Sequence, residues 1–214
     1  EPTSPARLDI RRAVATVEGN DRGIPPATVR ALADRNVILI DQGGEGKLEA
    51  ARSRDLPDLE QAQPAPDVQT ILQPIPGDPG WAGMSFAVAL LTRGPRQAVA
   101  IVTSREAADP KAAAIKLASD ALAAAPGALI SGHEAVWERF WSKSGLELDD
   151  PVLRSMWYRN LYFLRCVVRP GAVNTEFWRK VPFKMPGSAQ SATCGRIEVR
   201  LRPRRRRESR TSFV

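Results

Sequence analysis

The sequence predicts an α+β chain whose first half is rich in β-strands and whose second half is helical. Apolar residues alternate at period two in the segments up to Thr103, whereas from Asp109 to Pro170 they recur at helical spacing. The hydrophobic fraction of 43% in 214 residues is enough for one large domain or two small ones with a buried core. The change of period places the boundary between Ser104 and Asp109.

The strand signals begin near the start of the chain. Residues 7–17 (RLDIRRAVATV) are predicted to form a strand with Leu8 and Ile10 on one face, and Asn36–Ile40 is a short apolar run typical of a buried strand. Residues 41–83 are rich in Pro, Gly, Gln and Asp, so they are predicted to form a long loop with little regular structure.

The clearest strand pair follows this loop. Met84–Leu90 and Gln97–Thr103 both alternate at period two, and a turn containing Gly94 connects them, which predicts an antiparallel hairpin. One face of each strand is built from alanine, and such a face favours the close packing of a second sheet. The first half is therefore predicted to be an antiparallel β-sandwich.

Three helices are predicted after the hairpin. Asp109-Pro110 is an N-cap followed by a proline at the first helical position, and Pro126-Gly127 ends this helix. The second helix is predicted from Ser131 to Lys143. The third begins at Asp150-Pro151, and its apolar residues cover so much of its surface that it is expected to be buried on most sides.

Charge and cysteine content limit the classes of function. Residues 189–214 carry eight arginines against two glutamates, which is +6 of the total net charge of +7 and leaves +1 for residues 1–188. A basic nucleic-acid-binding face is therefore disfavoured on the body of the protein. Cys166 is expected to be a buried small hydrophobe, Cys194 is the only other cysteine, and no metal-ligand spacing is present. No apolar run is long enough to cross a membrane.

A resemblance to a known family rests on the helical region. His133-Glu-Ala-Val-Trp137-Glu-Arg-Phe140-Trp141-Ser-Lys-Ser144 is followed by Leu146-Glu-Leu148, Asp150-Pro151, Trp157-Tyr158 and Leu161-Tyr162. This order resembles the six-hairpin glycosidases, most closely family 95 of the glycoside hydrolases, the α-L-fucosidase-like enzymes. The resemblance covers residues 7–171, and it is strongest over residues 98–170.

The resemblance implies a domain organisation that the sequence pattern alone does not give. Residues 1–106 are expected to be part of an N-terminal β-sandwich, 107–148 linker helices, and 149–171 the start of an (α/α)6 catalytic barrel. Residues 172–214 are predicted to be an irregular, disordered Arg-rich tail. Because this ending does not align with relatives after Pro170, we hypothesise a frameshift or truncation there, which the DNA sequence would settle.

The implied function is hydrolysis of glycosidic bonds in oligo- or polysaccharides by an inverting mechanism with two carboxylates. In the family those carboxylates lie downstream of residues 149–171, so this chain alone is expected to be inactive. No catalytic, cofactor-binding or metal-binding residue is assigned, and no cofactor is expected. The only partner class is a carbohydrate substrate of the full-length parent, without nucleic acid or membrane. The family implies a secreted or periplasmic location.

Two alternatives stay open. The chain could be a non-catalytic β-sandwich module that binds carbohydrate or has a structural role, or its parent could be a glycoside phosphorylase or a trehalase-like enzyme. Candidate residues also have structural explanations. His133 is expected to be packed and bonded to backbone, Trp137, Phe140 and Trp141 to pack at a domain interface, and Asp150 of the Asp149-Asp150 pair to cap a helix. The acidic residues expected on solvated faces are Glu134, Glu138 and Glu147.

Overall fold

The structure is a computed structural model that describes residues 5–19, 25–42, 46–50 and 56–167. The described residues form eight strands and three helices. The strands are β1 (Ala6–Asp9), β2 (Val14–Val17), β3 (Ala27–Ala31), β4 (Val37–Asp41), β5 (Glu60–Ala65), β6 (Val68–Ile75), β7 (Met84–Arg93) and β8 (Arg96–Thr103). The helices are α1 (Pro110–Ala123), α2 (Pro126–Trp141) and α3 (Pro151–Val167). The Arg-rich tail, Cys194 and the hypothesised frameshift or truncation after Pro170 lie outside these residues.

All eight strands belong to one antiparallel sheet, in the order β1-β2-β3-β4-β8-β7-β6-β5. The α+β class and the order of strands before helices are confirmed. The predicted β7–β8 hairpin is present, with Phe86 opposite Thr103 and Arg93 opposite Arg96, and Gly94 in its turn has a φ of 57°. The predicted strand at residues 36–40 is β4, a central strand between β3 and β8.

The prediction of one strand over residues 7–17 is wrong. This segment is a hairpin, because the chain reverses between β1 and β2. The Asp9 carboxylate causes the turn by accepting hydrogen bonds from the backbone N–H groups of Arg11 (2.9 Å) and Arg12 (3.1 Å). Leu8 consequently lies on an edge strand, where 48% of it is exposed.

The predicted loop over residues 41–83 also needs correction, since it contains the hairpin of β5 and β6. The prolines that suggested a loop occupy positions that a sheet tolerates. Pro64 lies on the edge strand β5 at a break in the register between Ala62 and Ala65. Pro74 lies beyond Leu72, where the pairing of β6 with β5 ends.

The helix starts follow the predicted capping. The Asp109 carboxylate accepts the Ala112 N–H (3.0 Å), and the Asp150 carboxylate accepts the N–H groups of Val152 (2.8 Å) and Leu153 (3.2 Å). The second helix starts at Pro126 rather than at Ser131. Pro126 takes the first helical position of α2, so this proline both ends the helical run of α1 and begins the next helix.

Helix α1 covers the alanine face of the β7–β8 hairpin, where a second sheet was expected. The alanines on both sides of this contact are completely buried and form the centre of the core. They are Ala87, Ala89, Ala98 and Ala100 on the sheet and Ala114, Ala118 and Ala121 on the helix. Small side chains on both surfaces allow a helix to approach a sheet as closely as a second sheet would, which is why alanine alone did not distinguish the two.

The opposite face of the sheet is only partly covered. Residues 46–50 and 56–58 contact it at one side, where Gln69 accepts the Leu48 N–H (2.8 Å) and Gln73 donates to the Pro57 carbonyl (3.0 Å). The apolar residues in the rest of this face are half-buried, and Ile101 is 41% exposed. These half-buried residues are Val29, Ile38, Ile40, Phe86, Val88 and Val99.

Helix α3 differs most from its prediction, because none of its residues is buried. The chain divides within this helix into two compact units, Glu1–Arg159 and Asn160–Val214. In the first unit Val152, Leu153 and Met156 are more than half exposed. In the second unit the exposed apolar residues of the described part are Phe163, Leu164 and Val167.

Gly94 and Gly83 both have positive φ, but they differ in the space that an added Cβ would have. Gly94 (φ 57°) has open space where a Cβ would be, whereas a Cβ on Gly83 (φ 73°) would lie 2.7 Å from the Ile75 carbonyl oxygen. Gly94→Ala is expected to cost about 1–2 kcal/mol, the ordinary cost of the left-handed region. Gly83→Ala should cost clearly more in urea denaturation, and equal losses for the two variants would contradict the backbone packing of residues 75–83.

Candidate functional site

The aromatic residues of α2 lie on one face of the helix because their spacing is close to one helical turn. His133 and Trp137 are buried, at 1% and 5% exposure, and Phe140 and Trp141 are half-buried. Neighbouring rings contact each other. The Trp137 ring centroid lies 5.8 Å from Phe140 and 6.2 Å from Trp141, and Phe140 meets Trp141 edge to face at 4.9 Å.

Two of these residues attach α2 to the β1–β2 turn. His133 Nε2 lies 2.8 Å from the Arg12 carbonyl oxygen, and Trp141 Nε1 donates to the Arg11 carbonyl at 3.0 Å. A carbonyl only accepts, so Nε2 of His133 carries the proton. Glu134 adds an ion pair with Arg12 at 3.8 Å. The sequence expectation that His133 is packed and bonded to backbone matches this geometry.

A groove lies beside this attachment, with a volume of about 500 Å³. Its walls come from the β1–β2 turn, the end of α2, the following loop and the start of α3. The lining residues are Ile10, Arg11, Glu138, Trp141, Ser142, Ser144, Gly145 and Tyr158. An aromatic surface with a few charged and hydroxyl groups is a usual composition for a small-molecule site.

Tyr158 fixes the loop that forms one wall of the groove. Its hydroxyl donates to the Leu146 carbonyl (3.2 Å) and accepts the Leu146 N–H (3.3 Å), and its ring lies 6.0 Å from Trp141. Leu146–Leu148 has no regular secondary structure. Its backbone is held by a side chain instead of by a neighbouring strand.

The structure places the other residues singled out in the sequence as follows. Asp150 caps α3, while Asp149 and Glu147 are exposed. Glu138 is exposed and lines the groove, which sequence reasoning did not anticipate. Arg11 was also missed, because a residue in the middle of a predicted strand gave no sign that it belonged to a turn.

Cys166 is exposed, so the expectation of a buried cysteine is wrong. It lies on α3 one turn after Tyr162, on a helix without buried residues. Partial burial of the Tyr162 hydroxyl, its hydrogen bond to Cys166 and the negative charge of the Cys166 thiolate form together raise the pKa of Tyr162 to about 12.

The described part of the chain contains no group of three or more His, Cys, Asp or Glu side chains that could hold a metal ion. No single helix in it is long and apolar enough to cross a membrane, and α1 and α2 reach that length only as a pair bent by 104°.

No family model matches the sequence, and no curated protein matches it significantly.

Proposed function

We propose that this chain is the N-terminal part of a glycoside hydrolase resembling the α-L-fucosidase-like enzymes. In this proposal the antiparallel sheet belongs to a β-sandwich, α1 and α2 are linker helices, and α3 begins an (α/α)6 barrel. The chain then acts as a support for a barrel whose two carboxylates cleave the glycosidic bond with inversion. It carries no catalytic residue of its own.

The observation that carries the proposal is the attachment of α2 to the β1–β2 turn. The resemblance rests on His133, Trp137 and Trp141, whose rings pack together. Two of them, His133 and Trp141, bond to the backbone of this turn. A helix that connects a sheet domain to a following helical domain needs such a fixed attachment, because otherwise the second domain would move freely on its linker.

Two partly covered surfaces support the proposed architecture. A second sheet over Val88, Val99 and Ile101 would complete a sandwich on the face opposite α1. Barrel helices packed on Val152 and Leu153 would bury the exposed start of α3. Apolar surfaces of this kind mark contacts with other protein segments.

The test compares this chain with one extended through the reading frame that the DNA encodes after Pro170. We expect the extended chain to hydrolyse p-nitrophenyl α-L-fucoside or a related α-glycoside, and this chain alone to be inactive. Proton NMR of the first sugar released should show the inverted anomer. Activity that requires added phosphate would instead indicate the phosphorylase, and the lack of any helical barrel in the extended frame would refute the enzyme proposal.

The groove favours a second candidate function, the binding of a neutral saccharide by this chain itself. Trp141 and Tyr158 offer ring surfaces, and Arg11 and Glu138 offer polar groups at the rim. Titration with L-fucose and with xylose-based oligosaccharides, followed by the NMR signal of the Trp141 indole, would detect this binding.

Variants at the rim make the saccharide test specific. Arg11→Ala keeps the backbone carbonyl that Trp141 binds, and Glu138→Ala changes an exposed side chain, so both should fold normally and lower saccharide affinity. Glu147→Ala, which is exposed outside the groove, serves as control. If the Trp141 signal does not move in the unaltered chain, the binding function is excluded.

A further inference from the structure

Three arginines, on strands β3, β8 and β7, lie near one end of the sheet on the face that α1 contacts. The strand register aligns Asp41, Arg96 and Arg93 across β4, β8 and β7, next to the β7–β8 turn. Thr28 of β3 extends this row, and Arg30 lies two residues further along β3 on the same face. Arg93 and Arg96 stand directly opposite each other, a pairing of like charges that destabilises a sheet unless an anion compensates it.

Two of these arginines share the carboxylate of Asp41. Asp41 accepts Arg30 Nη1 at 3.0 Å through Oδ2 and Arg96 Nε at 3.3 Å through Oδ1. Arg93 donates to the neutral Ser119 hydroxyl of α1 at 3.1 Å. Within the described residues no other carboxylate contacts the three guanidinium groups. Among the described residues, the three guanidinium groups and this one carboxylate carry a net charge of +2.

The Arg30 guanidinium has more N–H donors than the hydrogen-bond acceptors around it satisfy. The Arg30 side chain is 16% exposed, and its Nε is buried with no hydrogen-bond partner among the described residues. Buried donors in folded proteins are nearly always satisfied by protein groups, ordered water or a ligand. Each of Arg30 and Arg96 uses a single nitrogen on Asp41, so further N–H donors remain on both guanidinium groups.

We propose that Arg30, Arg93 and Arg96 form a binding site for a compact oxyanion. The planar guanidinium fork matches the paired oxygens of phosphate and carboxylate groups. The anion balances the charge that Asp41 leaves uncompensated. It is either free inorganic phosphate or the carboxylate of an acidic sugar, two sources with the same recognition chemistry. This site is separate from the groove and does not depend on the proposed function.

The test is a titration of the purified chain with inorganic phosphate and, in a separate series, with D-glucuronate, at constant ionic strength set with sodium chloride. The Nε–H signals of Arg30 and Arg96 in nitrogen-15 NMR spectra report binding. Both signals are expected to shift as the anion is added, and the shift changes are expected to reach a plateau. A response to phosphate alone identifies the free anion as ligand, and a response to glucuronate identifies the carboxylate, so either supports the site.

Matched variants distinguish a specific binding site from nonspecific attraction of anions to a basic surface. Arg93→Gln removes a guanidinium that does not bind Asp41, so the fold should persist while affinity falls about tenfold, the effect of losing one charge-assisted hydrogen bond. Arg139→Gln removes the same charge from an exposed position on α2 and should leave affinity unchanged. The proposal is overturned if no saturating shift occurs or if the two variants weaken binding equally.

Discussion

Replacement of Trp137 by alanine is expected to lower the free energy of unfolding by about 3–5 kcal/mol. The side chain is 5% exposed and lies between the rings of His133, Phe140 and Trp141, so its removal leaves a cavity in the middle of the aromatic cluster. Urea denaturation followed by circular dichroism measures the loss.

Trp157→Ala is the matched control for this variant. Trp157 is half-buried and meets the Tyr158 ring edge to face, without a place in the α2 cluster. Its loss should cost less than half as much. Equal losses for the two tryptophans would mean that the cluster on α2 does not stabilise the attachment of the helix, and the support for the linker role would fall with it.

Replacement of Ala118 by leucine is expected to destabilise the chain by about 1–3 kcal/mol, although leucine is a good helix former. Ala118 lies on α1 and is completely buried against the alanine face of β7 and β8. The added atoms have no space unless the helix moves away from the sheet. The effect therefore measures how closely α1 approaches the strands.

Ala112→Leu on the same helix is the control, because Ala112 is exposed and the same substitution there should change stability by no more than about 0.5 kcal/mol. Thermal unfolding of both variants beside the unaltered chain gives the comparison. A neutral Ala118→Leu variant would indicate that α1 lies further from the sheet than the structure shows.

The parts of the fold that sequence predicted are those that local chemistry determines. The β7–β8 hairpin follows from period-two alternation around a turn glycine, and the starts of α1 and α3 follow from Asp-Pro pairs whose carboxylates accept backbone N–H groups. In each case the residues that specify the element lie within it. Their identity is therefore sufficient without knowledge of distant contacts.

The errors arose where a distant contact or one side-chain bond decided the outcome. The turn at residues 10–13 depends on the Asp9 carboxylate, which period-two counting does not consider. β5 and β6 pair at the side of the sheet despite their prolines, because an edge position and a strand end need fewer backbone donors. The burial expected for α3 and Cys166 required neighbours that a sequence pattern cannot place.

The candidate groove was predictable only in part. The aromatic face of α2 is evident from the spacing of Trp137 and Trp141, but Arg11 reaches the same place from about 130 residues away in the chain. The arginine cluster was hidden for the same reason, since Arg30 and Arg96 become neighbours only through Asp41 of the strand between them. Sites assembled from several strands need the strand order before they can be recognised.

The attachment of α2 has a consequence for tolerance to sequence change. His133 and Trp141 bind the carbonyl oxygens of Arg12 and Arg11, which every amino acid possesses, so the side chains at positions 11 and 12 can be exchanged without loss of these bonds. Proline is the exception, because Asp9 requires the N–H of both residues. The turn can thus vary the chemistry that it presents at the groove while its position against the helix stays fixed.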